Sequence, residues 1–320
     1  MSKKHRVNWK GYIPTTITPF DEARQLDVPA LHSMLEWLHA EGMHGLFVGG
    51  TTSEWTSLSN QERVELFRAS ADAMRGKLPL LAGCTGYTPA EVVALAQEAQ
   101  ALGYEGVVIA PPPYVRPNDK EILAFYQQIA KEITLPIVIY NWPAGTGIDL
   151  SVDLLEQLSD IDGVVGIKQS SPSIEQFIKT LFRLKDKVRV YGFRMDEHGL
   201  SLLQSVDGDG TIGAGGVLGR YQPDFYNHIW RGDIDAARAC GQKDIQILQR
   251  WYTPELIGRY GSSPSVLKVA FKMRGVPVQP VDVLHQLVQP LARSRLPVHA
   301  HAAARANRRR RPRGCARPGR

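Results

Sequence analysis

One lysine stands out by its neighbours. Lys168 closes the apolar run Val164-Val165-Gly166-Ile167, so an ammonium there is largely drawn out of water. Desolvation disfavours the charged form and lowers a lysine's pKa, and a neutral amine is what attack on a ketone carbon requires. The same placement also suits a lysine that snorkels from a strand end or sits in a buried ion pair. Tyr140 ends a second apolar run, Pro136–Tyr140, in the segment just before. A phenol there can pass protons to a carbinolamine and to a leaving hydroxyl, or it can be a buried aromatic whose hydroxyl is tied to a neighbour. Taken as a pair, Lys168 and Tyr140 favour carbonyl chemistry. The loop Gly49-Gly50-Thr51-Thr52-Ser53-Glu54 sets glycines before two threonines. Glycines let backbone approach a ligand, and successive N–H groups can cradle a carboxylate. By itself, this loop is equally a plain strand-to-helix turn.

Such residues need strands to end where they stand. Eight short apolar runs close on polar or glycine turns, at 11–20, 45–50, 78–84, 106–112, 136–141, 163–169, 188–192 and 210–215. Amphipathic stretches lie between and after them, at 27–41, 60–75, 88–102, 118–132, 150–158, 172–184, 197–205 and 221–231. Several carry start signals: Asp27 ahead of Pro29, Ser59 with Glu62 three residues on, and Thr88 before Pro89. Continuous apolar strands suit a parallel sheet buried on both faces. Eight strand–helix units in about 230 residues predict an α/β fold, a (β/α)8 TIM barrel with additional C-terminal helices. A doubly wound sheet is the alternative, but no GxGxxG turn follows the first strand.

The predicted organisation is a barrel over 1–231, a helical extension over 232–295 with helices at 233–250, 262–273 and 281–293, and a disordered basic tail over 296–320. In a barrel, chemistry sits at the C-terminal strand ends. Those ends supply Thr15 and Thr16, the Gly49–Glu54 loop, Tyr114, Tyr140 and Asn141, Lys168, Gly192 and Phe193, and Ile212 to Ala214.

Composition bounds the alternatives. The 320 residues are 43% hydrophobic and 22% charged, which excludes a wholly disordered chain. No run of about 18 apolar residues occurs, so no membrane span is expected. The start, MSKKHRVNWKGY, has no apolar segment of a secretory signal, and Cys84, Cys240 and Cys315 form no CxxC. A cytoplasmic protein without a disulfide framework or a zinc site is expected. The net charge is +6, but residues 305–320 hold eight arginines and no acid, leaving the rest at −2. The body therefore has no basic footprint for nucleic acid. The tail reads as a solvated segment, or alternatively as an arm for polyanions.

Five segments carry a family resemblance: GYIPTTITPF, GGTTSEW followed two residues later by LSNQER, PPPYVRP, YNWPAGTGIDL and VVGIKQSS. In this order, within a likeness spanning about residues 10–293, they resemble the dihydrodipicolinate synthase / N-acetylneuraminate lyase family. The resemblance implies a class I mechanism in which Lys168 forms a Schiff base with pyruvate or a related 2-keto acid. It implies Tyr140 as the proton relay and Thr51 as its link to Tyr114, which reaches across into a neighbouring subunit's site. Gly50, Thr51, Thr52, Ser170 and Ile212 become candidate substrate-binding residues; no metal or organic cofactor is implied, and a homotetramer, a dimer of dimers, is. Synthases of the family carry an arginine two residues after the proline of the YNxP segment. Here Pro143 is followed by Ala144 and Gly145. That departure favours a lyase or aldolase on a 2-keto(-3-deoxy) acid. The alternatives are a 4-hydroxy-tetrahydrodipicolinate synthase condensing pyruvate with aspartate semialdehyde, and a 2-keto-3-deoxy acid dehydratase. Asp196 and Glu197 resemble an Asp-Glu pair that holds sugar hydroxyls in sialic-acid lyases, with Arg194 as a replacement cation. Both acids equally suit the first turn of a helix, where the macrodipole favours them. A non-catalytic barrel is the remaining alternative.

Overall fold

The computed structural model describes residues 2–253 and 258–279. Eight parallel strands close in chain order: β1 Gly11–Thr15, β2 Leu46–Val48, β3 Leu80–Gly83, β4 Gly106–Ile109, β5 Ile137–Asn141, β6 Val164–Gln169, β7 Arg189–Tyr191 and β8 Gly210–Ala214. The ring is sealed by β1 against β8, with Ile13 opposite Ile212. Outside lie α1 Val28–Ala40, α2 Asn60–Met74, α3 Pro89–Ala101, α4 Asp119–Glu132, the short α5 Pro143–Thr146, α6 Val152–Asp160, α7 Ile174–Leu184, α8 Glu197–Ser205, α9 Tyr221–Trp230, α10 Ile234–Trp251 and α11 Ser263–Met273. This is the expected (β/α)8 TIM barrel with added C-terminal helices. The helix expected at 281–293 and the basic tail lie outside the described residues. No described helix is long and apolar enough to cross a membrane.

The helix starts follow local chemistry. Asp27 accepts from the Ala30 N–H, Thr88 accepts from Glu91, and Ser59 with Glu62 forms a reciprocal capping box. One element escapes the periodicity: α5 is a single turn that begins at Pro143 and ends at Gly147, whose φ of 71° suits glycine.

Two apolar layers result. Inside the barrel pack Trp9, Ile13, Phe47, Leu81, Val108, Val138, Val165, Tyr191 and Ile212. The outward faces, such as Leu46, Val107, Ile139 and Ile167, join the helices in the larger cluster. At the N-terminal end, Arg189 Nη1 lies 2.6 Å from Asp209 Oδ1, and both side chains are buried. Asp209 also accepts from the Val190 N–H at 3.0 Å. Removing one partner of such a pair strands a buried charge. Asp209→Ala should cost about 3–5 kcal/mol in urea unfolding, with the kcat of the protein that remains folded unchanged, because this end of a barrel carries stability rather than chemistry.

The register of β6 fixes where its lysine points. Ile137 faces Val164 while Val138 faces Gly166, so Val165 is an extra residue. Alternation along a strand puts residues i and i+2 on one face. Here the extra residue breaks that count: Val165 belongs to the inner layer, Ile167 to the outer one, and Lys168 turns inward. Bulges re-aim side chains in this way. Gly166 permits it, because a Cβ there would meet the Tyr191 ring at 3.1 Å and Val138 at 3.4 Å.

Candidate active site

Lys168 and Tyr140 are direct neighbours in the β5–β6 register. The lysine is 5% exposed. Its Nζ lies 3.8 Å from the centroid of the Tyr140 ring and 5.0 Å from that of Phe47. The ring faces favour an ammonium, but the loss of water dominates, and burial brings the Lys168 pKa down to about 7. Much of the amine is therefore neutral near pH 7. No acid pairs with it among the described residues, in contrast to the buried Lys268, whose Nζ sits 2.5 Å from Glu54 Oε2.

Burial pushes the Tyr140 phenol above its ordinary pKa, while the hydroxyls of Thr51 and Ser170 pull it back. The phenol is thus protonated at neutral pH, with the Thr51 and Ser170 hydroxyls near enough to act on it. Its ring stacks on Trp142, with centroids 6.0 Å apart and planes 8° from parallel.

The loop after β2 begins with Gly49 at φ 78° and Gly50, where a Cβ would meet Phe47 and the Thr15 methyl at 2.6 Å each. Only glycine fits there. Thr51–Ser53 then forms a single 3-10 turn. Its leading N–H groups have no acceptor within the turn, and both threonines line the cavity above Lys168. Thr52 Oγ1 donates to the carbonyls of Thr15 and Thr16, each at 3.0 Å. Ser53 Oγ donates to Thr16 O at 2.7 Å and accepts from Gly49 N. The loop is thereby pinned to the end of β1. Thr15 Oγ1, also on the cavity wall, is buried with no hydrogen-bond partner among the described residues.

A cavity of about 550 Å³ opens over these residues at the C-terminal strand ends. Lys168, Tyr140, Thr51, Thr52, Ser170 and Ile212 all line it, as does Arg194. Gly50 sits behind the wall and shapes it. Three candidates lie apart. Tyr114 is 93% exposed and adopts a left-handed backbone at φ 77°, unusual for a bulky residue. Asp196 is the N-cap of α8, accepting from Gly199 N at 3.1 Å, and also pairs with Arg194 Nε at 2.7 Å. Glu197, in the first turn, pairs with Arg238 at 2.7 Å. Neither acid faces the cavity that holds Lys168. Both serve a helix start, the alternative that their spacing leaves open.

Other wall residues give no signal in the sequence. Trp142 lines the cavity, and a Cβ on Gly145 would lie 1.9 Å from its Cζ3. The indole thus covers the position of the missing arginine. Asp244, Gln222, Tyr12 and Tyr252 line a further part of the cavity. They come from α10, α9, β1 and the segment after α10, and no local pattern links them.

Residues 8–294 match the profile of the Dihydrodipicolinate synthetase family. Among curated relatives, the 4-hydroxy-tetrahydrodipicolinate synthase of Methanosphaerula palustris is 31% identical over 280 residues, covering 85% of this chain and 92% of its own. That of Limosilactobacillus fermentum is 32% identical over 263 residues, 81% of each chain. Among solved structures, YagE, a prophage protein of the dihydrodipicolinic acid synthase family from E. coli K12 in complex with pyruvate, superposes with a TM-score of 0.76 at 27% identity. The match covers 89% of this chain and 99% of YagE. Dihydrodipicolinate synthase from Bacteroides thetaiotaomicron gives a TM-score of 0.75 at 28% identity, covering 86% and 92%.

Proposed function

The chain belongs to the dihydrodipicolinate synthetase family, and on that footing we propose that it is a Schiff-base lyase that captures pyruvate, or a related 2-keto acid, on Lys168. One observation carries the reading: a buried amine with a pKa of about 7, facing a cavity beside a protonated phenol.

The steps follow from those groups. Neutral Nζ adds to C2 of the keto acid. The keto oxygen takes up protons and leaves as water, and an iminium remains. Tyr140 starts as a proton donor, with the Thr51 and Ser170 hydroxyls beside it. A cation at Nζ then lies over the phenol ring, which favours the phenolate and lets the group accept a proton later. Loss of a C3 proton gives an enamine. Its C3 attacks an aldehyde carbon, forming the C–C bond, and the aldehyde oxygen takes a proton. Hydrolysis of the iminium restores the ketone and frees Lys168. Cleavage of a 4-hydroxy-2-keto acid is the same sequence reversed. The leading N–H groups of the Thr51–Ser53 turn suit the keto acid's carboxylate.

Condensation with aspartate semialdehyde is less well served. The position at which an arginine would grip its carboxylate is Gly145, under the Trp142 ring. A partner without that carboxylate fits better. In the same reading the protein is a cytoplasmic homotetramer, and the exposed, strained Tyr114 of one copy completes the relay in another.

Pyruvate with borohydride should add one reduced adduct, mapped by mass spectrometry to Lys168. The rate of labelling should climb with pH through about 7 and level off above it. A folded protein that gains no mass would rule the reading out.

A further inference from the structure

We propose that Asp244 and Tyr252 form a subsite within the catalytic cavity that takes a hydroxyl of the aldehyde-derived half of the substrate, making this enzyme selective for hydroxylated carbon chains. The inference rests on the Schiff-base reading above and specifies its second substrate. Asp244 is buried in α10, yet it lines the cavity that Lys168 and Tyr140 line. Gln222 Nε2 donates to Asp244 Oδ1 at 2.9 Å and to Tyr12 Oη at 2.8 Å, which uses both amide protons. The other Asp244 oxygen has no hydrogen bond among the described residues. Burial raises the Asp244 pKa to about 6, so the group is mainly a carboxylate at neutral pH. Tyr252 is 8% exposed, and its Oη has no hydrogen-bond partner among the described residues. The Ser263 hydroxyl lies near enough to act on the phenol's pKa, but outside hydrogen-bond geometry.

A buried acceptor and a buried phenol, both on the substrate cavity and both without a hydrogen bond among the described residues, are costly unless something meets them. A hydroxyl fits both, donating to the carboxylate and accepting from the phenol. A carboxylate-bearing chain would be repelled by Asp244. An ammonium would meet the cations of the same cavity, namely the iminium at Lys168 and the guanidinium groups of Arg194 and Arg259. Those two arginines are at the rim. Arg194 is held by Asp196, and Arg259 Nε donates to the Tyr252 carbonyl at 2.9 Å.

The test condenses pyruvate with D-glyceraldehyde or D-erythrose and with their deoxy counterparts propanal and butanal. The wild-type kcat/KM should favour at least one hydroxylated aldehyde. Asp244→Leu and Tyr252→Phe should each lower that ratio about tenfold, the loss expected for a hydrogen bond to a charged or buried group. Asp244→Asn, which keeps shape and one acceptor, should fall between, and it guards against a Leu variant that fails to fold. Equal losses for both aldehyde classes, an unchanged ratio, or a wild-type enzyme indifferent to the hydroxyls would overturn the subsite. Borohydride labelling of the wild type with pyruvate alone separates the two readings. An adduct without hydroxyl selectivity removes only the subsite, whereas no adduct removes both.

Discussion

Lys168→Met should leave the protein without a reducible adduct and with turnover down by at least about 10⁴-fold, the scale seen when a nucleophile is removed. The same substitution should stabilise the fold near neutral pH. The buried amine has a pKa of about 7, against about 10.4 in an unfolded chain. Between these values the unfolded state binds more protons than the native one, so stability rises with pH across that window. The penalty for burying the ammonium is complete below pH 7 and fades as pH approaches 10. Methionine has similar length, carries no charge, and suits the apolar shelf made by Phe47 and Tyr140. A shift of this size is worth several kcal/mol, and the lost attraction between ammonium and ring faces offsets part of it. Urea unfolding at pH 6 should favour the Met variant by about 2–4 kcal/mol, with the gap narrowing by pH 9. A Met variant less stable than wild type at pH 6 would mean that the amine is solvated and the nucleophile misassigned.

The stability cost of Lys168 has the same origin as its prominence in the sequence. It is the one charge in an apolar run, and such a conflict with local pattern marks function more often than error. The strands and helices are legible for the opposite reason, since runs, periodicity and caps such as Asp27, Ser59 and Thr88 all point the same way. The direction in which Lys168 points is not. A strand buried on both faces shows no alternation, so the sequence holds no mark of the extra Val165 that turns the side chain inward. Asp196 and Glu197 are ambiguous because a helix start and a sugar site want the same residue types. The absence of an arginine after Pro143 can be read directly, but not the indole that covers Gly145. Glu54 and Lys268, 214 positions apart, are joined only by the fold. Asp244 follows Lys243 in an ordinary amphipathic helix, and only its contact with Gln222 and the cavity sets it apart.

Tyr140→Phe separates the two halves of the proposed chemistry. Phenylalanine keeps the ring, hence the stack on Trp142 and the surface beneath Nζ. Burial of the amine, which sets its pKa, is also kept. Imine formation should therefore remain detectable by borohydride trapping, with half-maximal rate still near pH 7. The hydroxyl that Thr51 and Ser170 act on is lost. Two kinds of step then lack their proton carrier: departure of the carbinolamine oxygen, and protonation or deprotonation of the substrate hydroxyl during C–C bond change. Positioned acid–base groups contribute about 10²–10⁴-fold, and turnover should fall by that factor while the adduct persists. Because burial holds the phenol protonated, the wild-type rate should not require a phenolate in the free enzyme, and its rise with pH should follow the lysine alone. A Phe variant turning over at the wild-type rate would hand the relay to Thr51, Ser170 or solvent. A variant with neither adduct nor turnover would show instead that the phenol is needed to form the imine itself.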